Sequence, residues 1–191
     1  RLADIVNAGV PIATAQVQYS LLDSRPEHGL VELCRAHNIQ LLCYGTLAGG
    51  FISERWRGEP VPAPDQRFDN RSLVKYKLII DDAGGWDWFQ ALLTALAAIA
   101  DKHAVSIANV ATRYVLDRPQ VGAVIVGARY ARHLAENLRT LTLRLDDADR
   151  AQLATVLAQR RPLDGDVYTL ERDKTGRHGR IMKYNLNEES T

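Results

Sequence analysis

Two short stretches carry residue types that could do chemistry. The first, LLCYGTLAGGF (41–51), opens apolar, turns aromatic at Tyr44 and passes through Gly45, Thr46, Leu47, Ala48, Gly49 and Gly50. A strand that ends in an aromatic and a run of small residues leaves room beside its backbone. The ring offers a flat face, and glycines let backbone N–H groups approach a ligand that side chains would obstruct. The same features also serve amphipathic packing and turns. The second stretch, GARYARHLAEN (127–137), ends a strand at Gly127 and then spaces Arg129, His133, Glu136 and Asn137 at helical intervals. Such spacing returns to one helix face, and an arginine fork suits a phosphate because it donates two parallel hydrogen bonds. A solvated, charged helix face has the same pattern.

Elements that would hold these stretches alternate between helix and strand. Residues 1–8 look like the last turns of a helix closed by Gly9. PIATAQVQYSLL (11–22) reads as a strand buried on both sides, with polar positions at Gln16 and Gln18. A helix over 26–38 places Leu30, Leu33 and Cys34 on one face, and IQLLCYGTL (39–47) is the next strand. Periodicity fails between 51 and 85, a length more often functional or locally folded than idle. Amphipathic helices follow over 84–104 and 106–117, with Ser106 as an N-cap and Pro119 as a stop. VGAVIVGA (121–128) is a third strand, running into a helix; a last helix from Asp146 starts on acids, which suit a helix N-terminus. Repeated βα units imply a parallel sheet covered by helices. Three strands cannot close a barrel of eight, so periodicity leaves open a small open sheet or part of a barrel.

Composition excludes several classes. The 191 residues are 46% hydrophobic and 25% charged, ordinary for one globular domain. A net charge of +1 gives no footing for nucleic acid or a membrane surface. Cys34 and Cys43 lack CxxC spacing and histidine partners, which argues for a reduced, cytoplasmic chain without a metal site. No apolar run reaches the roughly 18–20 residues of a membrane span. The first residue is Arg1 rather than Met, which hints at a piece of something longer.

QVQYSLLDSRP, LLCYGTLAGGF, SIANVATRYVLDRP and AVIVGARYARHLAEN resemble, in that order and at those separations, the C-terminal half of an aldo-keto reductase. The resemblance spans residues 1 to about 160 and implies an α/β fold: the C-terminal part of a (β/α)8 TIM barrel, incomplete in this chain, with strands six to eight and the accessory helices. It further implies that Tyr44 stacks on a nicotinamide ring, that Gln16 bonds its carboxamide, and that Gly45, Thr46, Leu47, Ala48 and Gly49 bring backbone to the pyrophosphate. Arg55 falls where the family often has a basic residue. Gly127 closes the last strand, Arg129 stands where a 2′-phosphate is met, and Glu136 and Asn137 where adenine is met. His133 replaces the Gln or Arg of many relatives. The expected cofactor is NADP(H) in preference to NAD(H).

The family's catalytic Tyr, Lys, Asp and His come from the first half of the barrel, so no catalytic residue is expected here. Tyr168, Lys174 and His178 match no family motif, and 161–191 reads as a polar C-terminal tail, solvated rather than a basic binding patch. Three readings follow: the cofactor-binding portion of an NADP(H)-dependent reductase of aldehydes and ketones, a non-catalytic nicotinamide-binding or regulatory module, or an interaction protein with open sheet edges. The first is preferred; its partners are a small carbonyl substrate and the missing N-terminal barrel half, with no nucleic acid or membrane. The inward faces of Ala13, Ala15, Leu42, Val124 and Val126 are expected to lack an opposite wall.

Overall fold

The computed structural model describes residues 2–63, 65–68, 70–127 and 130–182. Its centre is a fully parallel sheet of three strands in the order β1 (Thr14–Gln18), β2 (Gln40–Tyr44), β3 (Val121–Val124). In register, Gln16 lies beside Leu42 and Leu42 beside Ala123, with an irregularity between Leu41 and Leu42. The helices before the last strand are α1 (Leu2–Asn7), α2 (Leu30–Ala36), α3 (Arg71–Ala83), α4 (Gly85–His103) and α5 (Ile107–Leu116). After it come α6 (Arg132–Thr142), α7 (Asp147–Leu157) and the single turns α8 (Thr169–Arg172) and α9 (Arg177–Arg180).

One face of the sheet is covered along its length, the other only at the strand ends, where Gln18 is buried. Val17, Tyr19, Leu41 and Cys43 are buried against Val31 and Cys34 of α2 and Val115 of α5. On the opposite face Thr14 and Gln16 are exposed and Leu42 is half-buried. The expectation that β1 is buried on both sides is therefore corrected for Thr14 and Gln16: side chains alternate across a strand, and on their face the described residues bury Gln18 at the strand end. The inward set is corrected too, because Ala15 and Val124 pack with the Val17 cluster on the helix side.

A second core lies among the helices, where Phe51, Trp56, Phe68, Trp86 and Phe89 stack edge-on or tilted. It explains why 51–85 is not idle. Leu73, Tyr76, Ile79, Ile80 and Ala83 form a buried stripe on α3, whose period is hidden in the sequence by the intervening charges. Asn70 caps that helix on the Leu73 N–H. Ser106 with Asn109, and Asp146 with Asp149, form reciprocal capping boxes on α5 and α7, as the acids and Ser106 predict. The helix expected over 26–38 is a 3-10 turn at Arg25–Glu27 followed by α2, separated around Gly29.

The segment after residue 160 is not solvated throughout. Leu163, Glu171 and His178 are buried, and the chain returns across 166–172 to the end of β1.

Candidate functional site at the C-terminal ends of the strands

All three strands release their chains at the same end of the sheet, so the loops after β2 and β3 are neighbours; the Ile125 N–H bonds the Cys43 carbonyl at 2.7 Å. Open parallel sheets and barrels bind ligands at this end.

Tyr44 is half-buried at the last position of β2. Burial, then the neighbouring Tyr168 and Tyr76, push its phenol well above the ordinary range, so it is a neutral hydroxyl and a flat face. Tyr168 is among the groups that act on it. Tyr168 in turn donates to the Gln16 carbonyl at 2.6 Å. Ala13 and Tyr19 bond toward β2, so by alternation the Gln16 carbonyl faces the free edge of β1, where Tyr168 caps it. The Gln16 side chain is exposed on the uncovered face, one register step from Leu42.

Gly45 and Gly49 adopt φ of +70° and +66°, a conformation that favours glycine. The space beside their α-carbons is taken by the protein: a Cβ at Gly45 would run into the Tyr76 hydroxyl, and one at Gly49 would lie 3.0 Å from Ser72 and Tyr76. What the loop offers a ligand is its N–H side. No acceptor among the described residues meets the N–H of Thr46, Leu47 or Gly49, while the Gly45, Leu47 and Ala48 carbonyls accept within the turn. The Thr46 hydroxyl is buried with no partner among the described residues, as is Gln18 Oε1. Arg55 is exposed, its guanidinium 5.2 Å from the Trp56 ring centroid; it stands on the 3-10 turn after the loop.

In the second stretch Gly127 and His133 are exposed and Glu136 and Asn137 half-buried. Arg129 lies outside the described residues. Asn109 fixes α6 by donating to the Glu136 carbonyl and the Thr140 hydroxyl, both at 2.8 Å. Glu136 Oε1 is buried without a described partner, whereas Oε2 accepts from Arg139 at 3.3 Å.

A buried charge network beneath Tyr44 was not legible in the sequence. Asp23 accepts from Arg25 at 3.0 and 2.7 Å and from Gln18 at 2.6 Å. Arg25, 1% exposed, also donates to Glu171 at 3.2 and 3.4 Å. Lys75 reaches Glu171 at 3.4 Å and stands 5.8 Å from the Tyr44 centroid. Burial raises the Glu171 pKa, but Arg25 and Lys75 outweigh it and hold the carboxyl below its ordinary value. Only the Asp23–Arg25 pair is local; Lys75 and Glu171 arrive from α3 and α8, and no spacing announces them. Elsewhere Cys43 is pushed up to about 12 by burial, so it is inert. Among the described residues no group of acids, histidines or cysteines is placed to hold a metal.

The geometry thus combines an aromatic face, an acceptor amide, unbonded N–H groups in a tight turn and a lone carboxylate oxygen. Comparison with known proteins decides its kinship. Residues 1–158 match the sequence model of the Aldo/keto reductase family. The chain belongs to this family. "Flagellar radial spoke protein 5" of Chlamydomonas reinhardtii is 36% identical over 118 residues, 61% of this chain and 22% of that protein. "Aldo-keto reductase yakc [NADP(+)]" of Schizosaccharomyces pombe is 27% identical over 141 residues, 72% of this chain and 39% of that one. Among solved structures, the glycerol dehydrogenase of Gluconobacter oxydans matches with a TM-score of 0.68 at 22% identity, covering 86% of this chain and 48% of that one. An aldo/keto reductase of Klebsiella pneumoniae solved with NADP and acetate matches at 0.51 and 20% identity, over 81% and 41% of the respective chains. The chain therefore carries part of an aldo-keto reductase TIM barrel, and it spans less than half the length of these relatives. Membership makes it kin to oxidoreductases. No single described helix is long and apolar enough to cross a membrane.

Proposed function

We propose that this chain is the cofactor-binding portion of an NADP(H)-dependent oxidoreductase that reduces aldehydes or ketones to alcohols. The observation that carries the reading is the turn after β2, where the N–H groups of Thr46, Leu47 and Gly49 meet no described acceptor directly beside Tyr44. Several N–H groups converging from one turn make a cradle for an anion such as a pyrophosphate. Tyr44 then stacks on the nicotinamide ring, with Gln16 on its carboxamide. Gly127, Glu136 and Asn137 take the adenine end, where the lone Glu136 oxygen suits an amino donor. We assign Arg129 and His133 to the 2′-phosphate, and Arg55 adds positive charge near the loop.

A bound nicotinamide supplies the hydride; this chain's residues bind and orient it. We assign no catalytic residue within the chain. The proton donor comes from an N-terminal barrel half that also covers the exposed face of the sheet, and the setting is cytoplasmic. The cofactor in the yeast relative's name and the NADP in the Klebsiella structure support NADP(H) over NAD(H). Calorimetric titration of NADPH and NADH into the chain joined to such a half tests the reading. Binding of NADPH in preference to NADH is expected, and absence of binding to either overturns it. A second reading, a non-catalytic nicotinamide-binding module, draws on the 36% identity to a protein named for the flagellar radial spoke. It is favoured if the cofactor binds but no carbonyl turnover appears in the joined protein.

A further inference from the structure

We infer that Val167 and Tyr168 are a removable guard on the free edge of β1, standing where a parallel strand of the N-terminal barrel half pairs when the barrel closes. The inference rests on the reading above that such a half joins this chain, and it concerns residues beyond the family match, which ends at residue 158.

β1 lies at one end of the strand order, and closing a sheet into a barrel leaves no edge strand. Ala13 and Tyr19 bond toward β2, so Thr14 and Gln16 aim their backbone groups away from it. Their N–H groups meet no acceptor among the described residues. The Gln16 carbonyl is taken by the Tyr168 hydroxyl at 2.6 Å. A paired strand runs about 4.7–4.9 Å away and brings its own N–H to that carbonyl. Tyr168 stands on that line, so guard and strand exclude each other.

The guard meets the strand loosely. Val167 is half-buried where it packs against the cluster of Val17 and Val31. A cavity of about 370 Å³ stays between the guard and Ala15, Leu30 and Leu33, whereas close-packed contacts leave few voids larger than a water. Tyr168 adopts φ +65° and ψ −2°, a left-handed conformation that opposes any residue with a Cβ and persists only where its surroundings impose it. Leaving the edge relieves that strain. The tether lies to either side of the guard: the Asp166 carbonyl accepts from Arg25 at 3.4 Å, and Glu171 accepts from the same guanidinium at 3.2 and 3.4 Å. Covering an edge blocks pairing with wrong chains. A cover held there by one hydrogen bond, over a cavity and on a strained backbone, yields to a strand that bonds both Thr14 and Gln16.

The test uses the full chain carrying 3-fluorotyrosine at position 168, alone and joined to an N-terminal barrel half. Amide exchange at Gln16 is read by NMR with no cofactor present. In the chain alone the Gln16 amide should exchange fast, and the fluorine resonance should differ from its position in urea. In the joined protein that amide should slow by about tenfold or more, and the fluorine resonance should move to its urea position. Tyr168→Phe removes the guard's hydrogen bond and keeps the ring. It should lower the urea midpoint of the chain alone, yet slow Gln16 exchange in the joined protein by about two- to tenfold further, the worth of one hydrogen bond. Opposite signs in the two proteins mark a competing guard; a merely structural Tyr168 weakens both. Gln16 exchange as fast in the joined protein as in the chain alone, in the parent and Tyr168→Phe alike, overturns the inference. So does a fluorine resonance unmoved by joining, or Gln16 exchange quickened by Tyr168→Phe. NADPH is then added to the joined protein. Release of the guard without NADPH binding leaves the inference standing and sinks the cofactor reading alone. NADPH binding with Gln16 paired and Tyr168 still packed does the reverse.

Discussion

Glu171 bonds Arg25 at 3.2 and 3.4 Å from a position 146 residues further along the chain. With Asp23 on the other side of the guanidinium and Lys75 on the other side of the carboxylate, two acids and two bases balance in a largely buried site that Lys75 opens partly to water. Such a group contributes little over an apolar replacement, yet removing one member leaves an uncompensated buried charge. The network ties the strand end, α3 and the C-terminal segment together beneath Tyr44.

Arg25→Ala should therefore destabilise the fold by about 3–5 kcal/mol, because the buried Asp23 loses its cation and Glu171 keeps only Lys75. Urea unfolding followed by tryptophan fluorescence measures it. A loss below about 1 kcal/mol, the range of exposed pairs, means that water reaches the site.

The same network predicts a pH dependence. The Glu171 carboxyl is held below its ordinary value in the folded state, so its stabilisation is complete above the unfolded value and is lost as pH falls through the folded one. The difference in urea midpoint between the parent and Glu171→Gln should be constant at neutral pH and shrink on acidification below the usual carboxylate range. A difference that persists in acid assigns it to shape rather than charge.

Tyr44→Ala should weaken NADPH binding by about 1–3 kcal/mol, the usual worth of an aromatic stacking partner. Unchanged affinity in calorimetry removes Tyr44 from the site and leaves its contact with Tyr168 as packing.

Arg129→Ala should reduce NADPH affinity far more than NADH affinity. A charge-assisted hydrogen bond contributes about 1.5–3 kcal/mol, and NADH lacks the 2′-phosphate. Equal losses for the two cofactors make the arginine a structural residue.

The chain by itself should associate or pack loosely. Leu134, Leu138 and Leu141 are each more than half exposed along α6, and Ile125 and Val126 are 45% and 42% exposed at the end of β3. With the uncovered face at Gln16 and Leu42, this makes apolar surface beyond what a monomer ordinarily shows. Sedimentation returning a monodisperse monomer with a cooperative melt sinks this expectation.

By itself the sequence determined the strands, most helices and the family. Strand alternation, the Ser106 and Asp146 caps and the order of the four strings are local, and local rules decide them. It also gathered Tyr44 and the following turn, because those residues are consecutive. Tertiary structure alone decided three things. The period of α3 is interrupted by charges such as Lys75 and Lys77, and only packing against Phe51 and Trp86 shows which side of it is buried. The glycines of the turn face Tyr76 and Ser72 with their α-carbons, so the side left for a ligand could not be chosen from composition. The C-terminal segment, polar and without periodicity, folds back because single residues, Leu163, Tyr168, Glu171 and His178, find partners contributed by other elements. Such partnerships depend on distance in space, and no spacing along the chain encodes them.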